Sequence, residues 1–89
     1  MNRNHFVIRN NWSESLTLCI EPEGAFYSLK KGEEVFVIDH FTSSPVTLTM
    51  SGSDDGDPIL SIWPGDGDVR VEKDGVDLLD LLSRERVHV

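Results

Sequence analysis

The stretch SLTLCIE, residues 15–21, decides the fold class of this 89-residue chain. Its large aliphatic residues Leu16, Leu18 and Ile20 occupy every second position. Successive side chains of a β-strand point to opposite faces of the sheet, so a period of two predicts a strand with one buried face. Cys19 falls on the other face, where it points outward or lies beneath a second layer.

The same alternation recurs along the chain at the spacing of about 8 to 12 residues that is typical of β-sandwiches and barrels. The segments 22–24, 30–33 and 64–68 separate the apolar runs and carry the Gly, Pro and Asp residues that favour turns. Asp74-Gly75 is the strongest two-residue hairpin signal. The sequence therefore predicts an all-β fold, a single antiparallel β-sandwich or small open barrel of about six to seven short strands.

The predicted core takes the apolar residues on the inward faces of these strands. The run 35–38 is apolar on both faces, which predicts the most deeply buried strand. The predicted core residues are Phe6, Ile8, Leu16, Leu18, Ile20, Val35, Val37, Val46, Leu48, Met50, Ile62, Val69 and Val71.

The hydrophobic period changes after Val76. Four leucines recur there at offsets of three and four residues, namely Leu78, Leu79, Leu81 and Leu82. Asp77 stands where a helix N-cap belongs, so a short C-terminal helix is one interpretation. A strand over 76–79 that pairs back across the preceding turn is the other. We predict one β domain over residues 1–83 and a frayed tail over 84–89.

Charge and targeting signals limit the classes of partner and compartment. Eight basic and sixteen acidic residues give a net charge of −8, which argues against nucleic acid or an anionic membrane as partner. The single cysteine, Cys19, cannot form an intramolecular disulfide. The apolar run 6–8 is too short for a signal peptide, and no run is long enough to span a membrane. These features predict a cytoplasmic protein.

The residues of catalysis and cofactor binding form no pattern. His5, His40 and His88 are scattered, and with one cysteine they offer no zinc-ligand spacing. The chain lacks a nucleophile elbow and a phosphate-binding glycine loop. We therefore predict a protein that is not an enzyme, with no catalytic residues, no cofactor and no small-molecule substrate.

Aspartates supply one metal hypothesis. Asp54, Asp55 and Asp57 carry the hard oxygen ligands that calcium prefers, and more acids occur in the segment 64–68. A strand over 59–63 would hold these two loops at opposite ends, so they predict weak calcium binding at most. Turn geometry accounts for the same Asp and Gly residues.

Two features predict contacts with proteins. Trp12 lies in the first turn, where it is either an exposed binding anchor or a cap on the core. The leucines from 78 to 82 leave apolar surface in either conformation, which predicts a homodimer. The predicted function is a small acidic protein-binding or assembly module. The alternative is an acidic inhibitor that occupies the basic site of a nuclease or other nucleic-acid-binding protein.

A family resemblance rests on several short motifs: residues 8–11, Leu16-Thr17-Leu18, Glu21-Pro22, Gly24, Tyr27, Leu29, Gly32-Glu33, Val35, Trp63-Pro64-Gly65, Val71 and Asp74-Gly75. In these the chain resembles small bacterial all-β proteins of unknown function. The resemblance implies an all-β fold and a bacterial cytoplasmic setting. It transfers no activity, cofactor or catalytic residue.

Overall fold

The computed structural model describes residues 2–86, with side chains through residue 82. Two four-stranded sheets form an open sandwich with a short C-terminal helix. The elements are β1 (Asn2–Arg9), β2 (Leu16–Ile20), β3 (Ala25–Leu29), β4 (Glu34–Phe41), β5 (Thr47–Gly52), β6 (Pro58–Trp63), β7 (Asp68–Lys73), β8 (Val76–Asp77) and α1 (Leu78–Arg86). The all-β prediction is confirmed, with eight strands among the described residues in place of the predicted six or seven.

The strand order places distant parts of the chain side by side. The first sheet runs β1-β4-β7-β8 and is antiparallel throughout, whereas the second runs β3-β2-β6-β5. Strands β2 and β6 pair in parallel, which departs from the predicted antiparallel arrangement. The chain leaves the second sheet after β3, passes through the first sheet as β4 and returns as β5. A hairpin would require antiparallel pairing, but no hairpin connects β2 to β6, so these two strands can pair in parallel.

The core lies between the sheets and at one end of the sandwich. Leu18 and Ile62 come from the second sheet, Val35 and Val37 from the first, and Leu78 from the helix. Each of these side chains is at most 1% exposed. The predicted inward faces of β2, β4 and β6 are therefore the ones that the fold buries.

Strand β5 is where the predicted core is wrong. Leu48 and Met50 face the same side of the sheet as buried Ile62, yet they are 42% and 62% exposed. All six residues of this strand are exposed. The reason is its position at the edge of the second sheet, where the first sheet leaves its inner face uncovered.

The C-terminal segment combines both interpretations of its sequence. Asp74 and Gly75 have φ angles of 53° and 81°, so they form the predicted tight turn, and Val76 pairs back with Lys73. The strand then ends and α1 begins, with the Leu79 amide donating to Asp77 Oδ1 at 2.9 Å.

Helix α1 extends to Arg86, so residues 84–86 of the predicted tail are helical, and 87–89 lie outside the described residues. Within residues 2–86, no helix has the length and apolar character needed to cross a membrane.

One loop contact fixes the path from β4 into β5. Asp66 accepts backbone hydrogen bonds at 2.8 Å from Thr42 and from Ser43. These bonds hold the pKa of the Asp66 carboxyl below its usual value, because they stabilise the charged form. Gly65 and Gly67 flank it, and a side chain at either position would collide with the backbone of 40–45. The segment 64–67 therefore anchors the segment that leads into β5.

Candidate interaction surfaces

The outer face of the first sheet carries an exposed apolar pair. Val7 and Phe36 lie directly opposite each other on β1 and β4 and are 45% and 47% exposed. Ile38 beside them is partly buried. The run 35–38 is therefore buried on its inner face alone, because no second layer covers the outer face among the described residues. The apolar pattern on both faces of this run, which predicts the most deeply buried strand, is also the sequence signal for this exposed surface.

A groove of about 300 Å³ follows this apolar pair. Its lining residues come from β1, β4 and β7, namely His5, Phe6, Val7, Phe36, Val37, Ile38 and Glu72. An apolar groove on an open sheet face is a surface that a side chain of another protein can fill.

Charged side chains lie on the same outer face of the first sheet, and of these only His5 and Glu72 line the groove. Arg9 Nη2 lies 2.6 Å from Glu34 Oε2, and Arg70 pairs with Glu72. Arg3 Nε donates to His5 Nε2 at 2.7 Å. Among the side chains of residues 2–82, no carboxylate oxygen lies within 4 Å of Arg3. Strand β1 itself therefore carries two arginines, one histidine and no carboxylate, in a chain whose net charge is −8.

Strand β1 also presents a regular hydrogen-bonding edge. Asn10, which follows the strand, donates its N–H to Glu33 O at 3.0 Å, and its carbonyl accepts from Gly32 N at 2.7 Å. Backbone groups alternate in direction along an antiparallel strand, so every second residue before Asn10 bonds toward β4. The residues between them direct their N–H and C=O groups away from the sheet: Arg3, His5, Val7 and Arg9.

Strand β5 forms an edge of different chemistry. Its sequence TLTMSG contains no charged residue. Leu48 and Met50 lie opposite Ile62 and Leu60, so their side chains continue the core face of the second sheet past the rim of the first. Sequence periodicity assigned these residues to the correct face but could not show that the face is open.

Trp12 is held in place by a buried amide. Its backbone N–H donates to Asn10 Oδ1 at 2.9 Å, while Asn10 Nδ2 donates to the carbonyls of Glu14 and Leu29. Asn10 is 3% exposed, whereas Trp12 is 44% exposed. The indole therefore lies on a well-fixed turn, and its role as a binding anchor stays a prediction.

The C-terminal leucines serve the core of their own chain. Leu78 is fully buried and offers no surface to a partner, and the predicted contact of the four leucines across a homodimer stays a prediction. Leu79, Leu81 and Leu82 are partly buried and pack against the same core. Helix α1 turns these side chains toward the end of the sandwich, which leaves them less free surface than the sequence suggested.

The acidic loop has the geometry of a turn. Ser53 N donates to Asp57 O and Gly56 N donates to Ser53 O, both at 2.8 Å, and Gly56 has a φ of 85°. Asp54 and Asp55 point into solvent around this turn. Among the residues described, no three or more His, Cys, Asp or Glu side chains come together in a way that could hold a metal ion. The structure thus does not bring Asp54, Asp55 and Asp57 together.

The buried thiol of Cys19 is not activated for chemistry. Cys19 is 5% exposed, and burial, reinforced by the nearby Glu21, raises the pKa of its thiol. A raised pKa keeps the sulfur protonated at neutral pH, the opposite of an activated nucleophile.

Asp39 is fully buried, and its Oδ2 accepts the Val46 N–H at 2.8 Å, which ties the start of the β5 segment to β4.

A scan against family models and searches of curated proteins and solved structures found no match to this chain. The structure shows a small all-β domain of two sheets, and these comparisons identify no family for it.

Proposed function

We propose that this chain is a non-enzymatic assembly module that binds a second copy of itself through the edge of β5. The observation that carries the proposal is that β5 is an uncharged edge strand with all its residues exposed. Exposed edges pair readily with other strands, and proteins that remain monomeric usually block them with charges, proline or bulges. Strand β5 has no charge and no proline.

The inner face of β5 supplies the apolar contact. Antiparallel pairing of two β5 strands would continue the second sheet from one chain into the other. Leu48 and Met50 of both copies would then face each other on the core side. Burying the remaining surface of each side chain contributes about 1 to 2 kcal/mol, and association costs about 4 kcal/mol or more. We therefore expect a dimer that dissociates on dilution.

Charge placement is compatible with this dimer. An antiparallel pair puts the two acidic turns at 53–57 at opposite ends of the joined strands. The six residues of β5 separate them by about 20 Å, which is beyond the screening length of about 10 Å at moderate salt. Two chains of charge −8 still repel as whole molecules, so the dimer should strengthen as salt rises.

Sedimentation equilibrium tests the proposal over a low to high micromolar series. The wild type should shift from monomer to dimer, and Met50→Lys should stay monomeric because it puts like charges across the new contact. Phe26→Lys is the matched control, since Phe26 is 57% exposed and lies on β3, at the opposite edge of the same sheet. It should dimerise like the wild type. A wild type that stays monomeric at low and high salt would falsify the proposal, and so would dimerisation of Met50→Lys.

The inhibitor alternative stays a prediction. Several acidic side chains already make contacts inside the chain, which leaves fewer for a basic partner: Glu33 with Lys73, Glu34 with Arg9, Glu72 with Arg70, and Asp39 and Asp66 with backbone amides.

A further inference from the structure

We propose that the outer edge of β1 binds an extended acidic segment of a different protein by adding it as a strand to the first sheet. This inference concerns a surface separate from β5 and does not depend on the proposed dimer. It rests on the open backbone of β1, on the charge of that strand and on the apolar groove beside it.

The backbone of β1 is regular enough to take another strand. All eight residues pair one to one with β4, so the strand has neither a bulge nor a break, and it contains no proline. No other strand of the described chain lies along its outer side. The outward groups belong to Arg3, His5, Val7 and Arg9, which are four donor and acceptor pairs over about 20 Å.

The charge of β1 selects the partner. The strand holds two arginines, one histidine and no carboxylate, although the whole chain carries −8. A second copy of β1 aligned antiparallel on this edge would put Arg3 opposite Arg9, and like charges directly opposite are destabilising. An acidic strand has the complementary charge at both positions.

The groove specifies the centre of the bound segment. A residue opposite Val7 would point its side chain to the outer face against Val7, which is 45% exposed and lies between it and Phe36 on β4. Residues two positions apart share a face of a strand. The favoured segment therefore has an acidic residue opposite Arg9, an apolar one two positions later opposite Val7, and a second acidic residue opposite Arg3.

Fluorescence anisotropy with labelled peptides tests this inference. In an antiparallel alignment the peptide EVITTTE fits the pattern, and KVITTTK is its charge-reversed control. The full chain should bind EVITTTE at least about tenfold more tightly than KVITTTK, since charge complementarity determines the partner. The preference should shrink as salt rises. Equal binding of both peptides, or no binding of EVITTTE up to millimolar chain, overturns the proposal.

Two variants locate the binding site. Arg9→Glu should weaken EVITTTE binding about tenfold. Arg70→Glu is its matched control, because both arginines are about half exposed and both pair with a glutamate, but Arg70 lies on β7 away from the edge. It should leave the affinity within about twofold. Equal losses in both variants overturn the placement on β1.

Two more variants separate strand addition from charge alone. Val7→Pro removes an outward N–H that β4 does not use, a substitution that edge strands tolerate, and it should abolish binding. Circular dichroism checks that the variant is folded; if it does not fold, the Arg9→Glu and Arg70→Glu pair decides. Met50→Lys should bind EVITTTE like the wild type, so failure of the β5 dimer and failure of this inference are distinguishable.

Discussion

Strands β1 and β5 are both edge strands, yet they differ in charge and in burial. On β1 the inner residues Phe6 and Ile8 pack against the core, and the outer face carries arginines. On β5 the inner residues are exposed and no residue is charged. Strand β1 shows that core packing can fix an edge strand in place while the charges on that strand limit which partner strands it can pair with. Strand β5 has neither the core packing nor the charges.

Side-chain truncation on the two inner faces should give the largest contrast. Phe6→Ala removes a partly buried ring and should lower the free energy of unfolding by about 2 kcal/mol, below the full cost of a completely buried phenylalanine. Met50→Ala should change it by less than about 0.5 kcal/mol, because Met50 is 62% exposed. Urea denaturation at low micromolar concentration, where the proposed dimer should dissociate, measures both. A loss above about 1 kcal/mol for Met50→Ala would show that β5 is covered.

This contrast also shows how far the sequence predicts the molecule. Alternation correctly gave the inward face of β2, and Asp74-Gly75 gave the last hairpin, because both depend on neighbouring residues. Whether an inward face is covered depends on strand order, which arises from pairing between distant segments. Leu48 was therefore assigned to the correct face and the wrong environment.

The candidate site was predicted less well than the fold. Trp12 is exposed as one of its two interpretations required, while Leu78 is buried by the helix that its own spacing predicted. The apolar pair of Val7 and Phe36 was not identified, since their contact joins strands that are far apart in sequence. The sequence signal for this pair is the apolar character of both faces of β4. A strand that is covered on both faces has the same sequence pattern, so the pattern alone does not show that one face is exposed.

The loop that leads into β5 should make stability depend on pH. The pKa of Asp66 is lowered in the folded chain relative to about 3.9 in an unfolded one. Its contribution is therefore fully present above the unfolded pKa and is lost as pH falls through the folded pKa. Asp66→Asn should lower the urea midpoint at pH 7. The difference in urea midpoint between this variant and the wild type should become smaller below about pH 4.

The control for this loop is Asp55→Asn, which removes the same charge from the exposed 53–57 turn. It should leave the midpoint at pH 7 close to that of the wild type. If both variants lose equally at pH 7, the effect comes from net charge and not from the hydrogen bonds to Thr42 and Ser43. In that case the anchor on the β5 segment is weaker than its geometry indicates.

The smallest expected effect concerns the ion pair on β1. The Arg9 side chain is 56% exposed and that of Glu34 is 33% exposed, so water and salt screen their attraction. A double-mutant cycle with Arg9→Ala and Glu34→Ala should give a coupling free energy of about 0.5 kcal/mol that falls as salt rises. A coupling this small means that Arg9 can leave Glu34 for an acidic partner at little cost. A coupling well above about 1 kcal/mol would instead make the pair part of the folding energy of β1, and the edge would then be as closed to acidic strands as to basic ones.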